Sequence, residues 1–471
     1  MADSRRLPLR LLAALILLAV VGAGIAMGGR LYDKVLDLRY GGTLPPPTGP
    51  APRDAGEARA QDLDYLARLP DVDRSFAPGA ATLFRERIRT LRAAAAGLDD
   101  AHFFMGIASA VALSGNAHTN VDATSWRAKL ASSPVRFAWF PEGLFVVRAM
   151  AGHEDLLGAR VLAIDARAPD ALAREAAAYF AGTAAYVRTA SPLLLESPPA
   201  LNVLHPDASP AHLDLRVEDA AGRTRDVLLD ALAPADAPKA TKPGRILSPV
   251  PLADEAPGRW RALLDPAARV PSLAEPQHVT HAETLAGGSA LYLHLWRVRN
   301  EPGERIADRI RAALGPPGAP PWHRIVLDLR LDAGGDYPDV YDALRAIPRR
   351  LAPEGRLMIL TDETTFSAAI IAAVVARHFA GPRAVVVGAG PGDRLEFWAE
   401  GIPARLPNSG IEIGVSTGYH DWSHGCRELR CWWPNFYYDV AGGDLAPGIP
   451  VRWRFADYRR GVDTVLDRAL E

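Results

Sequence analysis

Lysine is almost missing from this chain. Of its 471 residues only Lys34, Lys129, Lys239 and Lys242 are lysines, and none lies beyond Lys242. No chemistry in the C-terminal half can therefore rest on a lysine amine. Excess charge is missing too: 53 basic against 55 acidic residues leave a formal charge of -2, which excludes the basic footprint of a nucleic-acid binder. Ser367 does not stand in a GxSxG elbow, and GxGxxG does not occur; GAGPG at Gly388–Gly392 has the wrong spacing, and no helix opens after it, so a nucleotide fingerprint is excluded. Cysteine is confined to Cys426 and Cys431, in GCRELRC. Two cysteines so close are expected to bridge a single loop in an oxidising compartment. The run HDWSHGCRELRC can also be read as a zinc set of His420, His424, Cys426 and Cys431. The disulfide reading is preferred, and no metal or organic cofactor is expected.

Long apolar runs are represented once, from Leu11 to Met27, after Arg5, Arg6 and Arg10. That is the pattern of an export signal or a retained anchor. The body is expected outside the cytoplasm, in a periplasm, with residues 11–27 as a candidate inner-membrane anchor. The remaining composition, 49% hydrophobic and 23% charged, is that of an ordinary globular protein. Residues 31–60 read as a Pro/Gly-rich linker. Residues 61–125 have helical periodicity, with Phe84, Ile88, Leu91 and Ala95 on one face. Residues 126–235 alternate short apolar runs with turns around one helix, an order resembling a PDZ-like domain, which captures extended peptides at a sheet edge. Residues 236–284 read as a connector. From 285 to 471 strands and helices alternate, which predicts an α/β core with a mostly parallel sheet.

Within that core, LMILTDETTFSAAIIAAVVARHFAGPRAVVVG reads as a βαβ crossover from Leu357 to Gly388. Ser367 falls where the turn becomes the helix, so its hydroxyl lies beside unpartnered helical N–H groups. It can be a helix cap or a nucleophile. DLRLDAGG (328–335) lies just after the end of another predicted strand, where reactive groups gather in such sheets.

DLRLDAGG followed by TFSAA, with NAHT at 116–119 and the closing LAPGIPVRWRFADYRRGVDTVLDRALE, resembles the tail-specific, C-terminal-processing serine peptidases, whose core has a crotonase-like fold of ββα units. The resemblance spans about residues 101–471. It implies Ser367 as nucleophile and the Ala368 N–H with that of Gly334 or Gly335 as oxyanion hole. Many members pair the serine with a lysine about twenty-five residues downstream. That neighbourhood here is GPGDR, and Arg394 cannot accept a proton. The tricorn-like branch uses an upstream histidine, which implies His118 as base. For the orienting carboxylate Glu396, Glu400, Glu412 and Asp421 are candidates, with Glu400 preferred. The implied activity is cleavage of unfolded polypeptides or their C-terminal tails. The competing expectation is an inactive relative that binds peptides or apolar ligands.

Overall fold

The computed structural model describes residues 38–46, 49–237, 243–251 and 258–471, with 34, 36 and 241 besides. The run from Leu11 to Met27 lies outside these residues. Among the described residues no helix is long and apolar enough to cross a membrane.

Four helices, with a single helical turn at Leu69–Val72 between the first two, open the body: α1 (Ala55–Leu66), α2 (Pro78–Ala94), α3 (Asp100–Val111) and α4 (Ala123–Lys129). Asp54, Asp99 and Asp122 cap α1, α3 and α4 by accepting from backbone N–H groups of the first turn. Phe84 and Ile88 are the buried residues of α2, as the 3.6-residue period requires.

An antiparallel sheet follows in the order β1 (Val135–Phe140), β2 (Gly143–Met150), β3 (Arg160–Ile164), β4 (His212–Glu218), β5 (Thr224–Asp230), with β6 (Trp260–Ala262) paired to β2. Between β3 and β4 the chain makes α5 (Pro169–Glu175), α6 (Ala184–Ala190) and α7 (Pro198–Leu204). The opening helices and this sheet share one continuous hydrophobic core, which also takes in Ala404, Leu406, Ile411, Ile413 and Val415 from far along the chain.

The second sheet has the order β16 (Ile449–Pro450), β11 (Ala384–Gly388), β10 (Leu351–Thr361), β9 (Trp322–Asp328), β8 (Ala290–Leu295), β7 (Thr280–Leu285). Only β7 pairs antiparallel; β8, β9, β10, β11 and β16 run parallel. Side chains alternate across it. Ile325, Leu327, Leu357 and Ile359 face α8 (Ile306–Leu314), α9 (Tyr341–Ala346) and α10 (Ala368–Ala380), whereas Val326, Met358 and Leu360 face the last helix of the chain (Thr464–Leu470). Both faces are covered, which is why these strands read as unbroken apolar runs. The α/β core, the helical start and the mixed α+β middle are the fold class expected.

Two small ribbons complete the chain. One is β12 (Glu396–Glu400) against β15 (Ser416–Asp421); the other is β13 (Ala404–Arg405) against β14 (Glu412–Ile413). Cys426 and Cys431 are disulfide-bonded, so they are not available as metal ligands.

Candidate active site

Ser367 is the residue before α10, and its backbone is unusual. At φ 55° and ψ -124° it occupies a region rarely visited by residues with a side chain, and its hydroxyl makes no capping hydrogen bond. Such a conformation costs about 1–3 kcal/mol and persists where its surroundings over-determine it. Here they do. The Phe366 N–H donates to Asp332 O at 3.0 Å, Thr365 Oγ1 to Leu329 O at 2.9 Å, and Thr364 Oγ1 accepts from the Leu331 N–H at 2.7 Å. The serine turn is thereby stitched to the DAGG turn that follows β9. The cap reading of Ser367 fails, and what remains is a sharp elbow presenting a hydroxyl at a helix N-terminus.

The two glycines of that turn permit the approach. A methyl group on Gly334 would lie 2.6 Å from Ser367 Cβ, and one on Gly335 would lie 2.0 Å from Val298 O. The Gly334 N–H is already taken by Asp332 Oδ1 at 2.8 Å. Gly335 bridges Val298 in parallel, through Val298 N to Gly334 O and Asp336 N to Val298 O. In that ladder the Gly335 N–H points away from Val298. Gly335 and Ala368, the first residue of α10, are therefore the donors free to hold an oxyanion.

His118 reaches the same place from the opening helices. Asn116 holds its segment by pairing with the backbone of Trp398 on β12, donating to its carbonyl at 3.0 Å and accepting from its N–H at 3.3 Å. Thr119 Oγ1 donates to the buried Asp73 at 2.8 Å. Gly414 lets this turn pass, since a methyl there would lie 2.1 Å from His118 O. The imidazole is stacked between Phe366, at 4.5 Å, and Phe397, at 4.9 Å between ring centroids. Phe366 is the neighbour of Ser367. Both ring nitrogens of His118 are buried without a hydrogen-bond partner. Burial, then the charge of His420, pushes its pKa down to about 3, so the ring is neutral at neutral pH.

The carboxylate next to His118 is Asp393, with Oδ2 at 3.9 Å from Nδ1. It follows Gly392, whose N–H donates to Thr365 O at 2.9 Å, so the loop after β11 is fastened beneath the serine turn. A side chain at Gly392 would strike Glu363 O, 2.4 Å from its first carbon. Asp393 Oδ2 has no hydrogen-bond partner, and burial raises the Asp393 pKa to about 6.

The preferred orienting residue, Glu400, is placed elsewhere. A bulge between Ala399 and Glu400, with Glu400 at φ 68°, turns its side chain to His420, Oε1 to Nε2 at 3.4 Å. Of the other candidates, Glu396 and Asp421 are a cross-strand pair of the β12–β15 ribbon, and Glu412 stands beside Arg405. Asp393 stood in GPGDR, a segment read for its missing lysine. The signal available was an acidic residue after a glycine at the carboxyl end of a parallel strand.

Neither a protein-family model nor a curated protein matches the chain. Solved structures do. Mature CPAF aligns over 88% of this chain and 96% of its own at 14% identity, with a TM-score of 0.52. Mature CPAF complexed with lactacystin aligns over 88% and 97% at 13% identity, with a TM-score of 0.55. A photosystem II D1 C-terminal processing protease covers 83% of the chain at 11% identity, with a TM-score of 0.36, too low to bear on the fold. At such identities the likeness is one of fold, and the chemistry has to be argued from the site. In fold, the chain is similar to mature CPAF over most of the length of both.

Proposed function

We propose that the protein is an exported serine endopeptidase cutting unfolded polypeptides or their C-terminal tails by acyl transfer. Ser367 Oγ attacks the scissile carbonyl while a ring nitrogen of His118 takes its proton. The Gly335 and Ala368 N–H groups receive the oxyanion, and the protonated His118 then passes the proton to the leaving amine. Water reverses the sequence on the acyl-enzyme. Asp393 stabilises the imidazolium that forms in between. The observation that carries this reading is the elbow itself: a strained, uncapped Ser367 in contact distance of Gly334, next to a residue, Phe366, on which a buried imidazole with no hydrogen-bond partner is stacked.

The reading of an inactive peptide-binding relative has one observation in its favour. His118 makes no hydrogen bond to Ser367, because both its nitrogens lack partners. Catalytic hydrogen bonds are often loose before substrate arrives. A fluorophosphonate probe decides between them. The full chain is expected to be labelled and Ser367→Ala not; an unlabelled, folded full chain would leave the binding reading.

A further inference from the structure

Surface aromatics are rare on this protein and concentrated in one place. Nine large hydrophobic residues are exposed among the described residues: Leu38, Leu83, Leu228, Val250, Ile402, Leu429, Trp433, Phe436 and Tyr437. The only aromatics among them belong to the short helix Trp433–Tyr438 (α11). Their spacing, i, i+3 and i+4, puts Trp433, Phe436 and Tyr437 on one face. The opposite face is held by the protein. Asn435 is fully buried and accepts from the Asp421 N–H at 2.9 Å, and Tyr438 stacks on Tyr341 at 3.7 Å. The helix thus turns its aromatic stripe to solvent by construction. Leu429, 87% exposed, lies in the loop closed by the Cys426–Cys431 disulfide, just before this helix in the chain.

The start of the body is tied to this patch. Tyr40 packs edge-on against Trp432 at 4.5 Å, its hydroxyl donates to Cys431 O, and its carbonyl accepts from Thr417 Oγ1 at 2.7 Å. Leu38, also among the nine, stands two residues before it. Tyr40 is thirteen residues after Met27, the end of the apolar run. Thirteen residues reach at most about 45 Å fully extended and about 20 Å as helix. Where that run enters a bilayer, Tyr40, and with it α11 and the disulfide loop, is kept within about 45 Å of the point of entry.

We propose that this face, Leu38, Leu429, Trp433, Phe436 and Tyr437, lies in the headgroup region of the bilayer that holds residues 11–27. Amphipathic aromatic rings prefer that depth, and a patch of this kind on a soluble surface calls for a cover. Within the disulfide loop the cations are matched, Arg427 by Asp439 and Arg430 by Glu428, while Arg39 lies over the Tyr40 ring beside Leu38. Docking therefore rests chiefly on apolar contact. The ribbon strand β15, which carries His420, precedes the disulfide loop, so docking fixes the peptidase site at a set height above the membrane. The proposal rests on the reading of residues 11–27 as an anchor; it does not depend on the chemistry of Ser367.

Both cysteines are bonded to each other, so a cysteine introduced at the surface is the single free thiol. The full chain with Tyr437→Cys, carrying a nitroxide, is reconstituted into phosphatidylcholine vesicles beside Leu228→Cys. Expected are flotation with the vesicles for both, and a label at 437 at least fivefold less accessible to an aqueous nickel chelate than the label at 228. Flotation with equal accessibility would overturn the docking and spare the anchor. Failure to float would overturn the anchor and the docking with it. Spin–spin broadening at 437 would show a second copy covering the patch and overturn the bilayer as its occupant.

Discussion

His118 and His420 stand on opposite faces of Phe397, their ring centroids 4.9 and 4.8 Å from it, each with a carboxylate nearby. They are nonetheless different devices. Trp422 Nε1 donates to His420 Nδ1 at 3.3 Å, which fixes the tautomer with the proton on Nε2, facing Glu400. His118 has no such bond on either nitrogen and sits against the residue preceding Ser367. His420 thus has one ring nitrogen bonded, to Trp422, whereas His118 has neither bonded and stacks on the residue before the strained serine. Residue type, burial and an unmet ring nitrogen are common to both, so what singles out His118 as the candidate base is its place against the serine turn.

The sharpest way to break this contrast is to replace each ring by one that keeps the stack. His118→Phe is expected to lower peptide hydrolysis by about 10³–10⁴-fold while leaving the protein folded, close to the loss in Ser367→Ala, since the two act as a unit. His420→Phe is expected to cost at most about tenfold in rate. It orphans the Trp422 N–H and so lowers stability by about 1–3 kcal/mol. Casein digestion and thermal melts of the two variants check the crossing; similar rates in both would dissolve the distinction.

The carboxylates extend the comparison one step outward. Asp393→Asn is expected to reduce kcat by about 10²–10⁴-fold, because the imidazolium loses its counter-charge, and Glu400→Gln by less than about threefold. A larger loss from Glu400→Gln would return the orienting role to Glu400. The two glycines offer a related check. Gly334→Ala is expected to displace the elbow and abolish fluorophosphonate labelling, its new methyl being 2.6 Å from Ser367 Cβ.

How far these roles could be read from the chain depends on how local their causes are. The βαβ stretch was legible because its strands are continuous apolar runs and its helix is alanine-rich: β10, α10 and β11 are found where the pattern put them, and the DAGG turn follows β9 as expected. The disulfide was legible from two cysteines five residues apart. The partner of His118 was not. His118 and Asp393 are brought together by Asn116 pairing with Trp398, 282 residues away in the chain, and by Gly392 tying to Thr365, neither of which is a local contact. Glu400 lay in a promising run, FWAEG, but one bulge in β12 sends its side chain to His420. Period-2 patterning fixes which face a residue takes only while the register is unbroken.

The smallest expected effects are in pH dependence, and there Asp393 and His118 pull in opposite directions. Burial raises the Asp393 pKa to about 6. As pH falls through about 6 the carboxylate is protonated and kcat/KM is expected to drop tenfold per unit, a limb that Asp393→Asn removes. For stability the sign is reversed. A carboxyl whose folded pKa exceeds its unfolded one binds its proton more tightly in the fold, so its ionisation weakens the fold as pH rises from about 4 to 6. Asp393→Asn is therefore expected to be more stable than the parent at pH 8, by at most about 3 kcal/mol, and no more stable at pH 3.5. His118, held down to about 3 by burial and by His420, does the converse: the stability of its neutral form is present above its ordinary pKa near 6.5 and is lost as pH falls below it. Melts at pH 3.5, 6 and 8 separate the two groups. An Asp393→Asn variant less stable than the parent at pH 8 would mean that the ionised carboxylate has a partner in the fold, and the two histidines would then differ less than their bonding indicates.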